Sequence, residues 1–600
     1  MAEPEKTKIK ETPKTPEEKK VNGEIQKIKP KEISAETLAK EFKEHSVAEF
    51  FKKNQQMLGL SGKIRTLTTI IHEYVTNSID ACESANILPE IDIKVQELGS
   101  EYYEITVKDN GPGLTKNTVG KALGQLLAGT KFHRMVQSRG QQGIGAAGAT
   151  MYAQTTTGKP VKVISGTGNG KAFSLELTID PKQNEPKIEN MQDIDKEFKG
   201  LAIQAKIKDV TYRISEQGPL EYIRRTAIAN PHVQISLTDP TGQKTLFKRS
   251  SDKIPDAPKE MQPHPKGVTV DEVVTMAKYS DARKVGSFLK SSFDRMGDKA
   301  VQEITKMVSF DMNMDPKKME WSDAEEIIKA IKTISFIAPT TEGLSPIGED
   351  QIENSLTSIV QPEFLKVITR KPQVYKGGFP FQVEVAVAFG GNAGRASSNG
   401  GTEGETLKRM EVMRFANKVP LLFDGGGCAI TKAVQTIDWK RYGIQNIDDA
   451  PLTVFINVIS VHIPYTSAGK QAISDEPEVL EEIRLALMDS GRKIARHIIG
   501  KKKLKEKEAK KRTYLKYAVE VAYAIGELTG KKKEEIQKKL HDIVLKRLKL
   551  EEKEEQKELS DDEVDKEIEK ETKKIQKTEE KKKGKKEKIK GIKKVKKEKE

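Results

Sequence analysis

The sequence predicts an α+β protein: two mixed helix-and-strand domains, a small helical domain between them, and charged low-complexity ends. Three observations carry that prediction. At 600 residues the chain is too long for one hydrophobic core, and its length suggests about three or four domains. Apolar residues alternate with period two in two separate blocks, each accompanied by segments of helical periodicity. A proline-punctuated stretch, "IPDAPKEMQPHPKG", divides the blocks, and the last 50 residues are a Lys/Glu-rich run.

Residues 1–30 are rich in Lys, Glu and Pro, and a flexible N-terminal segment is expected there. Residues 36–60 and 64–86 read as helices separated by "GLSGK". "DIKVQEL" and "YYEITVKD" alternate like two strands joined by a short turn. "KPVKVISG" and "KAFSLELTID" form a second pair across "TGNG". "LAIQAKIKD" and "VQISLTDPTGQKTLFKRS" add further strands, so residues 31–250 are expected to form the first α+β domain. After the proline-punctuated stretch, short helices broken at "KVGSF" and "RMGDK" are expected over 268–330, within a domain of 251–330. The second mixed domain, 331–500, has strands at "FQVEVAVAFGG", "PLLFDGGG" and "LTVFINVISVHIP" and closes with a long amphipathic helix over 475–499. Residues 501–550 hold two more helices around "GELTG", and 551–600 are expected to be disordered.

Composition narrows the class. No run of 18 or more apolar residues occurs, so no membrane span is expected, and the N-terminus lacks a signal-peptide h-region. Two cysteines, Cys82 and Cys428, cannot make a disulfide framework or a cysteine-based zinc site, which points to a reduced, intracellular setting. Of the net charge of +15, residues 501–600 carry +12, from 36 Lys and Arg against 24 Asp and Glu. A basic tail of this kind favours polyanions, or simply keeps the chain in solution.

The stretch "HEYVTNSIDACESA" (72–85) reads as a helix with an unusual row. Glu73, Asn77 and Asp80 recur at i, i+4 and i+7 and share one face. Two glycine-bearing stretches follow: "KDNGPGL", with Asp109, Gly111 and Gly113 after a strand, and "SRGQQGIGAAGAT", with Gly140, Gln141, Gln142, Gly143, Ile144, Gly145 and Gly148. Farther on, "IPYTSAGKQA" sets Lys470 in a turn. Alone, D-x-G-x-G is an ordinary turn sequence. "GIGAAG" matches a dinucleotide fingerprint, but no strand precedes it and no Asp or Glu lies between Gly148 and Glu176, so that reading is rejected. No G-x-x-x-x-G-K-[ST] phosphate loop is present either.

Taken in order, E-x-x-x-N-S-x-D-A, D-x-G-x-G and G-x-x-G-x-G resemble the ATP site of the gyrase, heat-shock chaperone, histidine kinase and MutL superfamily. The resemblance implies a Bergerat-type ATPase α/β sandwich with ATP and Mg²⁺ bound. Asn77 would ligate the magnesium, a hard cation that accepts a neutral amide oxygen and keeps several waters. Glu73 would be the general base that orients and deprotonates the attacking water, with Asp80 in a supporting role. Asp109 would accept the adenine amino hydrogen, Gly111 and Gly113 would let the backbone approach the base, and the 140–145 loop would fold over the phosphates. Within the superfamily the chain is similar to the B subunits of the archaeal type IIB topoisomerases, the topoisomerase VI family, over roughly residues 31–500. "EYVTNSIDA", "DNGPGL", "GQQGIG", "PHPKGV", "LSPIGED", "ITRKPQVYKG", "VAFGG", "RFANKVPLL", "DWKRYGI" and "IPYTSAGK" carry that similarity. It implies a helix–two-turns–helix domain at 251–330 and a transducer domain at 331–500. Lys470 would be a switch lysine that contacts the γ-phosphate. One departure stands out: the family's Gly-Thr is Gly200-Leu201 here, and Leu201 lacks the hydroxyl that helps hold adenine.

"DWKRYGI" places Trp439, Lys440, Arg441 and Tyr442 together, an aromatic and basic group suited to a nucleic-acid backbone. A tryptophan cap with surface charges is the plainer alternative. Lys284, Lys290, Arg295 and Lys299 dot the helical insert and offer further cations for phosphates, although helix surfaces carry such charges anyway. No base-reading motif occurs, so duplex DNA would be bound without strong sequence preference. No paired-carboxylate metal cluster accompanies the chain's tyrosines, so DNA cleavage is expected in a separate A subunit. The resemblance implies two A and two B chains per enzyme, B chains that dimerise on ATP, the 475–499 helix as docking arm, and a cytoplasmic, nucleoid-associated location. A MutL-like repair ATPase fits less well with the 251–330 insert and "DWKRYGI". A heat-shock-type chaperone would bind client proteins with no effect of DNA on hydrolysis. A histidine kinase would need a phosphoacceptor context that His45, His72 and His133 lack.

Overall fold

In the computed structural model of the chain, the described residues are 49–50, 53–129, 135–140, 143–168, 170, 172–195, 197–396, 408–530 and 532–558. The 1–30 segment, most of the 36–60 helix, Gln141, Gln142, His45, His133 and most of the 551–600 tail lie outside them. Among the described residues, no helix is long and apolar enough to cross a membrane.

Helix α1 (Lys63–Ser84) buries Leu67, Ile70, Ile71, Val75 and Ile79 at helical spacing. Each such side chain contributes roughly 1.5–3 kcal/mol when fully buried. They share a core with an eight-stranded sheet of β1 (Glu90–Gly99), β2 (Tyr102–Asp109), β3 (Val161–Thr167), β4 (Ala172–Asp180), β5 (Glu185–Ile194), β6 (Lys199–Lys208), β7 (Gln234–Thr238) and β8 (Lys244–Phe247). The spatial order is β5-β4-β3-β6-β2-β1-β7-β8, antiparallel except for the parallel β1–β7 pair. Helices α2 (Val119–Gly124), α3 (Gly145–Thr157) and α4 (Pro219–Ala229) complete this part. Both expected antiparallel pairs are present. In this sheet the strand that the sequence does not predict is β5, an edge strand exposed along nearly its whole length. With neither face buried, it leaves no apolar alternation to read.

Four helices follow: α5 (Val270–Lys278), α6 (Val285–Ser292), α7 (Asp298–Thr305) and α8 (Trp321–Thr333). They enclose a core of their own around Val273, Phe288, Leu289, Ile304 and Ile327. After α9 (Glu349–Ile359), β9 (Phe364–Thr369), β10 (Gln373–Tyr375), β11 (Phe379–Phe389), β14 (Glu411–Ala416), β15 (Val419–Pro420) and β16 (Leu452–Ser460) make a six-stranded mixed sheet. Of these, β9, β10 and β14 are likewise not predicted from the sequence. The pair β12 (Arg395–Ala396) and β13 (Lys408–Arg409) stands apart from the sheet. β16 lies centrally, antiparallel to β11 and parallel to β14, and every residue in it is buried. The strand expected at "PLLFDGGG" is only the two-residue β15; three glycines then coil into a 3₁₀ turn, Gly425–Gly427, because they bring no side chain to a sheet face. Helix α10 (Ala429–Gln435) and helix α11 (Pro477–Thr529) pack on this sheet.

α11 corrects a boundary. It runs for 53 residues without interruption through "GKKKLKEKEAKKR", instead of closing near 499. That stretch is made of good helix formers with no proline, and one internal glycine costs only about 1 kcal/mol. The break comes at Gly530, in a left-handed C-cap with φ 66°, before α12 (Lys533–Glu558).

Helix α4 meets α9 and the second sheet in an apolar seam where Ile228 and Ala229 pack with Ile352, Leu356, Met413 and Phe455. Beside it lies a charged cluster. Arg224 and Arg225 of α4 and Arg395 converge on the buried Glu411 at the start of β14. Burial alone would push the Glu411 carboxyl up, but these guanidiniums outweigh it and hold it well below the usual carboxylate range. Arg65, near the start of α1, makes a two-pronged bond at 3.0 Å to Asp424 of the second part.

Candidate functional site

The helical row predicted from sequence is present on α1, and its members divide by environment. Glu73 is about one-third exposed and Asn77 is exposed. Asp80 turns inward, where its Oδ1 accepts from Arg139 Nη1 at 2.7 Å. Arg139 also forms a fork with Glu83 (2.6 and 2.7 Å) and donates to Asn230 Oδ1 at 2.6 Å. Asp80 therefore braces the base of the glycine loop from the helix that carries Glu73 and Asn77.

Asp109 ends β2 and is 4% exposed. Its Oδ2 accepts from Ser78 Oγ at 2.7 Å, and its Oδ1 from the backbone N–H groups of Gly111 and Leu201, both at 3.0 Å. Burial pushes its carboxyl up, and these three donors pull it back. A carboxylate offers about four acceptor positions, so one is left for a ligand donor. Gly113 closes this end with φ 69°, where an added Cβ would overlap the Gly166 carbonyl. Leu201 contributes its main chain to the pocket, while its side chain packs against the core. Ser78 was given no role by sequence reasoning, although it sits inside the E-x-x-x-N-S-x-D-A pattern.

The glycine loop ends at α3, whose first residue is Gly145. Ile144, just before it, anchors in a small cluster with Leu126, Ala147, Met151 and Ile179. A Cβ on Gly145 would overlap the Glu73 carboxylate, so glycine is what allows the loop and the carboxylate to close on each other. Gly143 takes φ 58°, and a Cβ on Gly140 would meet open space. The α3 N-terminus thus presents free N–H groups beside Glu73, a favourable place for an anion.

Lys470 arrives from the second part of the chain. It sits at φ 52° in a turn closed by its N–H to the Ser467 carbonyl at 3.1 Å. Neighbouring Gly469 lies against Gly59, just before α1. Half-buried His72, next to Glu73 in sequence, has its pKa lowered chiefly by burial, an effect opposed by Glu73 and reinforced by the Lys470 charge. α1 thus links Glu73, against Gly145, to Asn77 and, through Ser78, to Asp109 and Gly111, with the Lys470 turn beside the residues that precede this helix.

"DWKRYGI" is divided by the fold. Trp439 is 4% and Tyr442 7% exposed, both in the core beneath α11. Trp439 Nε1 donates to the Val434 carbonyl at 3.1 Å, and Tyr442 packs on Gly491. As DNA contacts these two are corrected: ring burial leaves only Lys440 and Arg441 facing solvent. In the helical insert, Lys290 is paired with Asp298 (2.6 Å) and Arg295 Nε donates to the Ala338 carbonyl (3.2 Å); Lys284 and Lys299 are exposed.

Fold and pocket together define an ATPase of the Bergerat class. Residues 62–181 match the family of histidine kinase-, DNA gyrase B- and HSP90-like ATPases, and residues 339–511 match the transducer of the topoisomerase VI B subunits. Over 513 residues the chain is 46% identical to the B subunit of type 2 DNA topoisomerase 6 from Methanothermobacter thermautotrophicus, covering 85% of this chain and 96% of that protein. Over 567 residues it is 45% identical to the corresponding protein of Pyrococcus horikoshii, covering 87% and 98%. The chain belongs to the family of type 2 DNA topoisomerase 6 B subunits.

Proposed function

We propose that the chain binds and hydrolyses ATP as the B subunit of a type IIB topoisomerase, acting inside the cell on nucleoid DNA that a partner A subunit cuts. One observation supports this most directly: α1 carries Glu73 against Gly145 at the α3 N-terminus and, one turn on, Asn77 beside the Ser78 that bonds Asp109, while the charge of Lys470 from a turn after β16 is felt at His72. In this reading 31–250 is the ATP-binding domain, 251–330 the helix–two-turns–helix domain and 331–500 the transducer.

Asp109 accepts the adenine amino hydrogen, and the 140–145 loop with the α3 N–H groups receives the phosphates. Glu73 takes a proton from water as the water oxygen bonds to the γ-phosphorus and the β–γ bridging bond breaks, leaving ADP and phosphate. Magnesium, when bound, neutralises charge on the phosphate oxygens. Asn77 fits it as an exposed neutral oxygen ligand, since this ion takes one or two protein ligands and completes its shell with phosphate and water. Lys470 meets charge on the γ-phosphoryl group and so reports it to the transducer. ATP binding then pairs two B chains around a duplex, and transducer movement opens the segment held by A. Lys440 and Arg441 remain the DNA-contact candidates of their element. The transducer match supports this over a chaperone or mismatch-repair ATPase.

The reading is tested by ATP hydrolysis of the full chain with a cognate A subunit, with and without duplex DNA. Hydrolysis stimulated by DNA is expected. Lys470→Ala should slow turnover by about 10–100-fold, the loss of one charged contact of roughly 1.5–3 kcal/mol. Unchanged turnover would remove Lys470 from the site.

A further inference from the structure

The segment just before the glycine loop is held far more firmly than a loop base requires. Met135 pairs with Met261, whose N–H donates to the Met135 carbonyl at 3.0 Å. Gln137 is buried and bonds three times to the irregular segment that opens the transducer. Its N–H donates to the Gly343 carbonyl (3.1 Å), its Nε2 to the Ser345 carbonyl (3.1 Å), and its Oε1 accepts from the Ser345 N–H (2.6 Å). The Ser138 carbonyl accepts from Asn417 Nδ2 at 3.1 Å. Arg139 holds Asp80 and Glu83 on α1, and its partner Asn230 donates to the Lys418 carbonyl at 3.2 Å. Three consecutive residues thus bond to three different places: the opening segment of the transducer, its sheet, and the helix that carries Glu73 and Asn77.

The transducer end is equally fixed. Asn417 and Lys418 form the left-handed β14–β15 turn, with φ 50° and 68°. Asn417 Nδ2 also donates to the Ser460 carbonyl (2.9 Å), and its Oδ1 accepts from the Ser460 N–H (3.0 Å). The Lys418 N–H donates to Asn457 Oδ1 (3.1 Å), and Asn457 Nδ2 to the buried Glu384 of β11 (2.9 Å). Ser460 ends β16, and the chain leaving it leads to the Lys470 turn. The base of the glycine loop and the Lys470 turn therefore lead back to the same strand. Buried hydrogen bonds resist being broken, since each orphaned group costs about 1–3 kcal/mol.

We infer that Gln137, Ser138 and Arg139 form a clasp that makes the glycine loop and the transducer sheet move together, with Gln137 and Asn417 as its positioning residues. This rests on the ATPase reading above. It adds a second mechanical route beside Lys470: a nucleotide-driven shift of α1 is passed through Arg139 and Gln137 to the transducer, and β14 and β16 follow.

The test uses the full chain assembled with a cognate A subunit on supercoiled DNA. Gln137→Met keeps side-chain length and removes both side-chain bonds to Ser345. Asn417→Gly tolerates the left-handed backbone and removes the bond to Ser138 together with the two to Ser460, so the clasp is cut from either side. ATP consumed per relaxation event, KM and kcat for ATP, and the melting temperature are measured. Both variants are expected to keep KM within about threefold while the ATP spent per event rises at least about fivefold, because nucleotide binding persists but its movement no longer reaches the sheet. Two outcomes would overturn the clasp with the wild type active: wild-type ATP stoichiometry in both variants, or hydrolysis and relaxation falling in equal proportion with a lowered melting temperature. A wild type that does not hydrolyse ATP would overturn the ATPase reading itself, and the clasp with it.

Discussion

Glu73→Gln is expected to lower ATP turnover by about 10²–10⁴-fold, the range for losing a positioned general base. The amide keeps the volume and can still hydrogen-bond a water, but it cannot take the proton. Gly145 faces this side chain so closely that a Cβ would not fit, and the isosteric change respects that space. ATP affinity should stay within about threefold, and ATP-driven pairing of B chains should persist and outlast that of the wild type, because nothing hydrolyses the nucleotide that holds it. Single-turnover hydrolysis alongside equilibrium binding checks this. Loss of binding together with turnover would mean that Glu73 holds nucleotide rather than priming water.

Asp109→Asn should weaken ATP binding by about 10²-fold with little effect on folding. Asparagine oxygen can replace Oδ1 and keep the N–H bonds of Gly111 and Leu201. The amide nitrogen then occupies the place of Oδ2, beside Ser78, whose hydroxyl can rotate to accept. Toward adenine, however, it sets a donor against a donor. A hydrogen bond to a charged group is worth about 1.5–3 kcal/mol, or roughly 10–150-fold. Calorimetric titration with ATP and GTP reads both affinity and base selectivity. Unchanged ATP affinity would show that the base lies elsewhere. Leu201 enters here as well: its main chain supports Asp109, but it brings no hydroxyl to the base, so the wild-type affinity starts without that bond.

Local chemistry in this chain could be read from sequence because its spacing is dictated by backbone geometry. Glu73 and Asn77 are one turn apart on α1, and D-x-G-x-G follows a strand whose end must turn, so neighbours in sequence predict neighbours in space. Contacts between distant segments were not readable in this way. Arg139 stands in "SRGQQGIG", but its partners are 56, 59 and 91 positions away. Asn417 stands in "RFANKVPLL", yet it meets Ser138 at a separation of 279. Trp439 and Tyr442 show the opposite error. Aromatic residues beside Lys440 and Arg441 suggested a nucleic-acid surface, but large rings gain more by burial under α11. The edge strand β5 and the continuity of α11 escaped for related reasons: one has no buried face, and the other is helical along an exposed, charged length that supplies no apolar stripe.

Whether Mg·ATP sits on α1 with its attacking water primed by Glu73 is decided by an experimental structure of the full chain with magnesium and a non-hydrolysable ATP analogue. Expected are the adenine amino group within hydrogen-bond distance of Asp109, the metal on the Asn77 side-chain oxygen, and the Glu73 carboxylate facing the γ-phosphate beside the α3 N-terminus. Phosphates bound away from α1, or a metal that Asn77 does not touch, would contradict this arrangement.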